Sequence, residues 1–101
     1  MSTSLTHEVF AAHLNTKFTI PIDETNRVEL TLVEVSELKL SPRQEQFAIV
    51  FRGPLEIFLG QGMRPFEHDQ IGQFELFLVP IKKDDEGFYY EAVFNRMRKT
   101  S

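Results

Sequence analysis

The densest apolar run in the chain, GQFELFLVPI at residues 72–81, fills both phases of an extended strand. One phase holds three apolar residues, Phe74, Leu76 and Leu78. The other phase holds three more, Phe77, Val79 and Ile81. A strand that is apolar on both faces needs cover on both faces, so we expect it at the centre of a closed barrel or a tight sandwich. Pro80 has no N–H to donate and predicts weaker pairing near the end of the run.

Residues 6–14 have the pattern of a short helix. Thr6 suits the N-cap, and Glu8 favours the positive end of the helix dipole. Asn15 suits the left-handed position that closes a helix. Three apolar residues share one side of this helix, Val9, Phe10 and Leu14. We therefore expect the helix to cover one end or one face of the sheet.

Further segments have the alternation, or the β-branched and aromatic content, that is typical of strands. These segments are residues 17–20, 28–40, 47–52, 63–68 and 88–95. The segment 28–40 changes phase near Leu32, which predicts a β-bulge or a bend, and a helix is its competing interpretation.

Turns are expected at residues 69–72 and 82–87, and an irregular excursion after Gly53-Pro54. The sequence thus predicts one mainly-β domain over residues 1–101. It would be a small barrel or sandwich of about six mostly antiparallel strands with one short N-terminal helix. Residues 1–4 and 97–101 are expected to fray.

Composition and charge exclude several function classes. The chain has 101 residues, of which 42% are hydrophobic, so it can bury one modest core. Its net charge is -4 and neither half is basic, so nucleic-acid binding is not expected. With no cysteine, disulfides, thiolate catalysis and cysteine-ligated metals are excluded. Since neither a membrane span nor a secretion signal is visible, we expect a soluble, cytoplasmic protein without a membrane partner.

Glu67, His68 and Asp69 are the densest group of candidate ligands or acid–base residues. Neighbours on a strand point to opposite faces, so these three side chains cannot easily converge on one ion or substrate. We therefore expect His68 and Asp69 to shape a hairpin turn. The sequence predicts no metal, no cofactor and no catalytic residues.

Arg52 ends a hydrophobic strand, and two tyrosines are adjacent in the last strand. The guanidinium of Arg52 is expected to form a fork with a buried carboxylate, Glu91 or Glu75, and a partner or ligand contact is the alternative. Tyr89 and Tyr90 must point to opposite faces, so one is expected in the core and one on the surface.

Several short motifs are distributed over most of the chain: FRGP at 51–54, QG at 61–62, EH at 67–68, GQFELFLVP at 72–80 and YEAVFNR at 90–96. Together they resemble a family of small bacterial proteins of about this length whose function is uncharacterised. The chain departs from that pattern at Asn15, where glycine is frequent, and at Met63, where threonine is frequent. The resemblance carries no catalytic residues. It implies an accessory or assembly role beside proteins similar to phage-tail collar or tail-fibre subunits.

Two hypotheses for function follow, and the first is a non-enzymatic protein-interaction or assembly accessory module. Its partner would be a protein such as a tail-fibre-like structural subunit. The contact would use a sheet edge or the excursion between Arg52 and Arg64, where Pro54, Gln61 and Arg64 are the candidate contacts. Exposed sheet edges also allow a homo-oligomer.

The second hypothesis is a small-molecule or sugar-binding barrel. Its mouth would be lined by Arg52, His68 and either Tyr89 or Tyr90. A concave pocket in which these side chains converge would favour this hypothesis, whereas an apolar surface patch would favour the first.

Overall fold

The computed structural model of the chain describes residues 5–97. These residues form, in chain order, the elements α1 (His7–Ala12), β1 (Lys17–Pro21), β2 (Arg27–Val35), β3 (Lys39–Leu40), β4 (Gln44–Gly53), β5 (Gly62–His68), β6 (Gly72–Asp84) and β7 (Gly87–Met97). Of the segment 97–101 that is predicted to fray, Met97 is the last residue of β7, and the other residues, like residues 1–4, lie outside the described range. Within residues 5–97, no helix has the length and apolar content needed to cross a membrane.

Six strands close into an antiparallel barrel in the order β1, β5, β6, β7, β4, β2. The barrel closes because β2 pairs with β1 on one side and with β4 on the other. The short strand β3 adds to the edge of β4 outside the barrel order. The mainly-β prediction with one short helix is confirmed, and of the two predicted architectures the chain adopts the barrel.

The inward phase of each barrel strand supplies the core. A strand points alternate side chains to opposite faces, so one apolar phase per strand is enough to fill the interior. The largest fully buried side chains are Tyr90, Phe10, Phe18, Phe51, Phe66, Ile20, Leu30, Leu32, Ile49, Leu78 and Val28.

The helix α1 closes one end of the barrel. It begins at the predicted N-cap, where Thr6 Oγ1 accepts a hydrogen bond of 3.2 Å from the N–H of Val9. Phe10 is fully buried and contacts the rings of Phe18, Phe47, Phe74 and Phe94. Asn15 takes the predicted left-handed conformation, with φ 69°. The helix is shorter than predicted, and Leu14 lies beyond it with its side chain exposed.

The opposite end of the barrel is covered by the segment between β4 and β5, which we call the cap segment (residues 54–61). It has no regular structure, as the sequence predicts. Leu59 is buried, and its N–H donates a hydrogen bond of 2.9 Å to the Tyr90 hydroxyl at the start of β7. Phe58 packs edge-on against Phe88, with ring centroids 5.1 Å apart. The cap segment is therefore fixed to the barrel through β7.

The sequence predicted β2 correctly at its bulge and β6 incorrectly at its outer face. The predicted bulge in β2 is confirmed by a register shift between Leu32 and Glu34, although Leu40 belongs to the separate strand β3. The predicted cover on both faces of β6 is wrong, because Phe77 is 46% exposed and Ile81 is 45% exposed. The inner face of β6 alone is enclosed.

The contact between β1 and β5 is the weakest seam of the barrel. The two strands share one paired position, Thr19 with Glu67, whereas each pairs along its length with its other neighbour. Extending this antiparallel register by two residues puts Pro21 opposite Pro65. Neither proline has an N–H to donate, which explains why the ladder stops there.

Candidate functional site

A cleft of about 460 Å³ opens between the cap segment and the ends of β1 and β5. Its walls are apolar apart from one arginine, and they are formed by Ile20, Pro21, Ile22, Ile57, Phe58, Leu59, Arg64 and Pro65. Ile20 and Leu59 form the buried floor, because both belong to the core.

The rim of this cleft exposes large apolar side chains. Phe58 is 58% exposed and Ile22 is 48% exposed, Ile57 is also exposed, and the nearby Leu55 is exposed although it does not line the cleft. Single exposed apolar residues are ordinary on a protein surface, but a cluster around a concave site is typical of a binding surface. We call this cluster, with the cleft, the cap surface (residues 20–22, 55–59 and 64–65).

Arg64 supplies the polar group of the cap surface. Its Nη2 donates a hydrogen bond of 2.8 Å to the carbonyl of Gly60, which holds the cap segment in place. Its Nε is buried and has no hydrogen-bond partner among residues 5–97. A buried donor without an acceptor costs about 1–3 kcal/mol.

The sequence-predicted contacts Pro54, Gln61 and Arg64 lie at the same end of the barrel. Arg64 is in the cleft itself, and Gln61 is exposed beside it in the chain. Pro54 lines an adjoining cleft of about 510 Å³, which shares Ile57 with the first. The structure therefore brings these three predicted residues to one region.

Arg52 lies outside this region, on the outer face of β4. Its Nη1 is 3.7 Å from Oε2 of Glu86 in the β6–β7 turn. The predicted fork with Glu91 or Glu75 is wrong, because the carboxylate that pairs with Arg52 is that of Glu86. Both members of this pair are substantially solvent-exposed, so the ion pair contributes little to stability.

The two tyrosines point to opposite faces, as predicted, yet both are buried. Tyr90 is in the core and accepts the Leu59 N–H bond. Tyr89 is on the outer face, where its hydroxyl donates to Oδ2 of Asp84 at 2.9 Å and Lys82 Nζ is 4.7 Å from its ring centroid. The bond to Asp84 is the main reason that the pKa of Tyr89 is raised. The prediction of a surface tyrosine is wrong because polar neighbours cover the ring.

His68 lies at the helix end of the barrel, where its ring is fully engaged. Nδ1 accepts hydrogen bonds from the backbone N–H groups of Gln70 at 3.0 Å and Ile71 at 3.3 Å. The proton is therefore on Nε2, which is 3.0 Å from Thr16 Oγ1. Burial, and then the nearby His13, lower the pKa of His68 against the opposing effect of Asp69. This geometry matches the predicted role of His68 in shaping the hairpin turn.

The residues predicted to line a sugar-binding mouth do not converge. His68 is paired with Gly72 at the start of β6, and Tyr89 is paired with Lys82 near its end. The ten-residue separation along β6 corresponds to about 33 Å at the usual rise of an extended strand. Arg52 is the cross-strand partner of Tyr89 and lies at the same end of the barrel. His68 is therefore the one predicted residue at the other end.

In a polar cleft of about 490 Å³ beside His68, most of the charged side chains form ion pairs. Lys17 Nζ is 3.6 Å from Oε1 of Glu29, and Arg27 pairs with Glu67. Asp69 also lines this cleft. In the described part of the chain, no three histidine or carboxylate side chains are arranged to hold a metal ion.

Sequence reasoning missed Ile22 and Phe58, the most exposed apolar residues of the cap surface. Ile22 follows the end of β1, and Phe58 is in an irregular segment, so neither has a periodic pattern that assigns a face. The available signal was composition alone, since Ile22 lies between Pro21 and Asp23, and Phe58 belongs to a short apolar run that ends at Gly60.

Comparison with known proteins supports a family assignment over most of the chain. The family described as a domain of unknown function (DUF6916) matches residues 5–94. No curated protein matches the chain, and no solved structure matches it. The matched range includes α1, all seven strands except the last residues of β7, and the cap surface. The chain therefore belongs to the DUF6916 family.

Proposed function

We propose that this domain is a non-enzymatic protein-interaction module that binds a partner protein through the cap surface. The observation that carries the proposal is the exposure of Phe58 and Ile22 around one cleft that also contains Arg64. These apolar side chains have no cover within residues 5–97.

The chemistry of the cleft defines the partner. Burying an exposed side chain of the size of phenylalanine contributes about 1.5–3 kcal/mol, which favours an apolar side chain in the cleft. Arg64 favours an oxygen acceptor next to that side chain, and a carboxylate gives the strongest bond. The partner segment would therefore present an apolar residue beside an acidic or carbonyl oxygen.

The role assigned to this module is accessory rather than catalytic. The cleft is lined by apolar residues, prolines and one arginine, which provide neither a nucleophile nor a general base. The class of partner, a structural subunit such as a tail-fibre-like protein of a bacterial particle, rests on the resemblance in the sequence motifs. The alternative of a sugar-binding mouth has less support, because its residues are at opposite ends of the barrel.

Site-specific photo-crosslinking in the native host tests this proposal. A photoreactive amino acid would replace Phe58 in one variant and Leu40 in another, because both side chains are 58% exposed while Leu40 is in β3, away from the cap. We expect a crosslinked partner protein from position 58 and not from position 40. The crosslink should disappear when Arg64→Glu is added.

Arg64→Glu also removes the bond to the Gly60 carbonyl, so a second variant is needed. Ile22→Asp leaves that bond in place and puts a charge on the rim of the cleft. It should abolish the same crosslink while circular dichroism and thermal unfolding remain close to those of the wild type. Equal crosslinking from positions 58 and 40, or none from either, would contradict the proposal.

A further inference from the structure

The ring of His68 joins the turn between β5 and β6 (residues 69–71) to the segment between α1 and β1. Nδ1 of His68 accepts hydrogen bonds from the N–H groups of Gln70 and Ile71 in the turn, at 3.0 and 3.3 Å. On the other side of the ring, Nε2 is 3.0 Å from Oγ1 of Thr16. That hydroxyl donates to the carbonyl of His13 at 2.6 Å, so it accepts the Nε2–H. We call these bonds the His68 latch.

The His68 latch requires a neutral imidazole. A protonated imidazole carries a hydrogen on both nitrogens and accepts no hydrogen bond. The new N–H on Nδ1 would point at the two backbone N–H groups that Nδ1 now accepts from, and turning the ring over would put a C–H there instead. A proton on His68 therefore breaks the bonds to the turn in either orientation of the ring.

The groups around His68 act on its charge in opposite directions. The residue is 9% exposed, and burial disfavours the charged form. The ring of His13, whose centroid is 4.6 Å away, adds repulsion when it is protonated, whereas Asp69 in the turn favours the charged form. The other charged side chains that line the cleft beside the ring form two ion pairs, Arg27 with Glu67 and Lys17 with Glu29. Burial and His13 outweigh Asp69, so the pKa of His68 is lowered and the latch is closed at neutral pH.

The latch lies beside the weakest seam of the barrel. The paired position between β1 and β5 joins Thr19 to Glu67, which is the residue before His68. The His68 ring also packs against the buried ring of Phe18 in β1, with centroids 4.4 Å apart. Loss of the latch removes the bond to Thr16 and the packing on Phe18, so this seam is where the barrel would open.

We infer that His68 is an acid-sensitive switch: when it gains a proton, the β5–β6 turn leaves Thr16 and the helix end of the barrel opens along the β1–β5 seam. The opened form exposes the ring of Phe18, which belongs to the core. The ladder between β4 and β7 stays intact, because it is continuous and does not include the seam. This inference does not depend on the proposed function, since the cap surface is at the opposite end of the barrel.

Nuclear magnetic resonance of the full chain over a pH series tests the switch. The ring nitrogen signals report the protonation of His68, and hydrogen exchange of the backbone amides, corrected for the intrinsic effect of pH on exchange, reports opening. As His68 gains its proton, protection of the Gln70 and Ile71 amides and of the Thr19–Glu67 position should fall by about tenfold or more. The amides of the β4–β7 ladder should stay protected at that pH.

Three variants separate the switch from a general sensitivity to acid. His68→Asn can still accept from the N–H groups of the turn but does not titrate, so its turn amides should stay protected at the pH at which the wild type opens. His13→Gln removes the repulsion from a second imidazolium, so opening should move to higher pH. His7→Gln is the matched control, since His7 is on α1 but its ring packs against Phe47, and it should open at the wild-type pH.

Four results would overturn the inference. The first is a protonated His68 with the turn amides still protected. The second is loss of protection in the β4–β7 ladder at the same pH, which would mean that the whole domain unfolds. The third is a His68→Asn variant whose turn opens at the wild-type pH. The fourth is an opening pH that is the same in His13→Gln as in His7→Gln.

Discussion

Two glycines allow β4 and β7 to approach each other closely at the cap end of the barrel. A Cβ atom on Gly87 would lie 2.1 Å from the carbonyl oxygen of Gly53. A Cβ atom on Gly53 would lie 2.5 Å from Cδ2 of Leu30 and 3.2 Å from Cε2 of Tyr90. The contact at Gly87 is with backbone and leaves no room for a side chain, whereas the nearest atom at Gly53 is the end of the Leu30 side chain, which can move aside.

The substitution Gly87→Ala should therefore destabilise the protein. The methyl group must displace the backbone of Gly53, and we expect the free energy of unfolding to fall by about 1–3 kcal/mol or more. Chemical denaturation measures this loss. Gly60→Ala is the control, because its added Cβ has Arg64 Nη2 as nearest neighbour at 3.9 Å, and it should change stability by no more than about 0.5 kcal/mol. Equal losses in the two variants would show that the close approach does not matter.

His68, at the helix end of the barrel, makes the stability of the protein depend on pH. Its pKa in the folded protein is lowered from the ordinary value of 6.5, chiefly by burial. The unfolded chain therefore takes up a proton near pH 6.5, whereas the folded protein does so only at lower pH. The contribution of His68 is complete above pH 6.5 and is lost as the pH falls towards the folded value.

Denaturation of the wild type and of His68→Asn above and below pH 6.5 checks this sign. Asparagine retains an oxygen that can accept from the N–H groups of Gln70 and Ile71 but does not titrate. The wild type should lose more stability on acidification than the variant loses. An identical pH dependence in both proteins would mean that His68 is not the responsible group.

At the scale of elements, the cap segment depends on one buried hydroxyl. Tyr90→Phe removes the acceptor of the Leu59 N–H and leaves that donor unsatisfied in the core, which should cost about 1–3 kcal/mol. Denaturation measures the loss, and limited proteolysis should cut the variant within residues 54–61 faster than the wild type. Tyr89→Phe is the comparison, because its partner Asp84 is exposed and can bind water instead. A larger effect at Tyr89 would contradict this account.

The local rules of strands and caps were enough to predict most elements. Period-two alternation identified the barrel strands, and Thr6 and Asn15 marked the two ends of the helix region. The errors arose where the answer depends on distant residues. Whether the outer face of β6 is covered depends on what packs against it, and the partner of Arg52 depends on how close the β6–β7 turn comes to β4.

Local rules also predicted part of the candidate site, and the rest depends on distant residues. Pro54 belongs to the strand breaker Gly53-Pro54, and Gln61 and Arg64 come soon after it, so the sequence alone placed all three in or beside the excursion. Ile22 could not be added, because the end of β1 reaches the cap segment only through the closure of the barrel. His68 and Tyr89 were grouped wrongly, since composition does not show that they are at opposite ends of β6.

At the scale of the whole molecule, the two ends of the barrel are closed by different means. Phe10 fills the helix end from within a ring of aromatic side chains, and the cap segment leaves apolar residues facing solvent. The cap end is therefore the end at which the proposed partner would bind.

The facing prolines at the β1–β5 seam have a consequence for motion. A closed barrel opens by breaking one ladder, and the ladder with a single paired position, at Thr19 and Glu67, requires the least energy to break. Opening there would leave the long β4–β7 ladder intact, together with the core that it supports. The amide hydrogens of β1 that face β5 would then exchange with solvent through local fluctuations, while those in the β4–β7 ladder would exchange only when the whole domain unfolds.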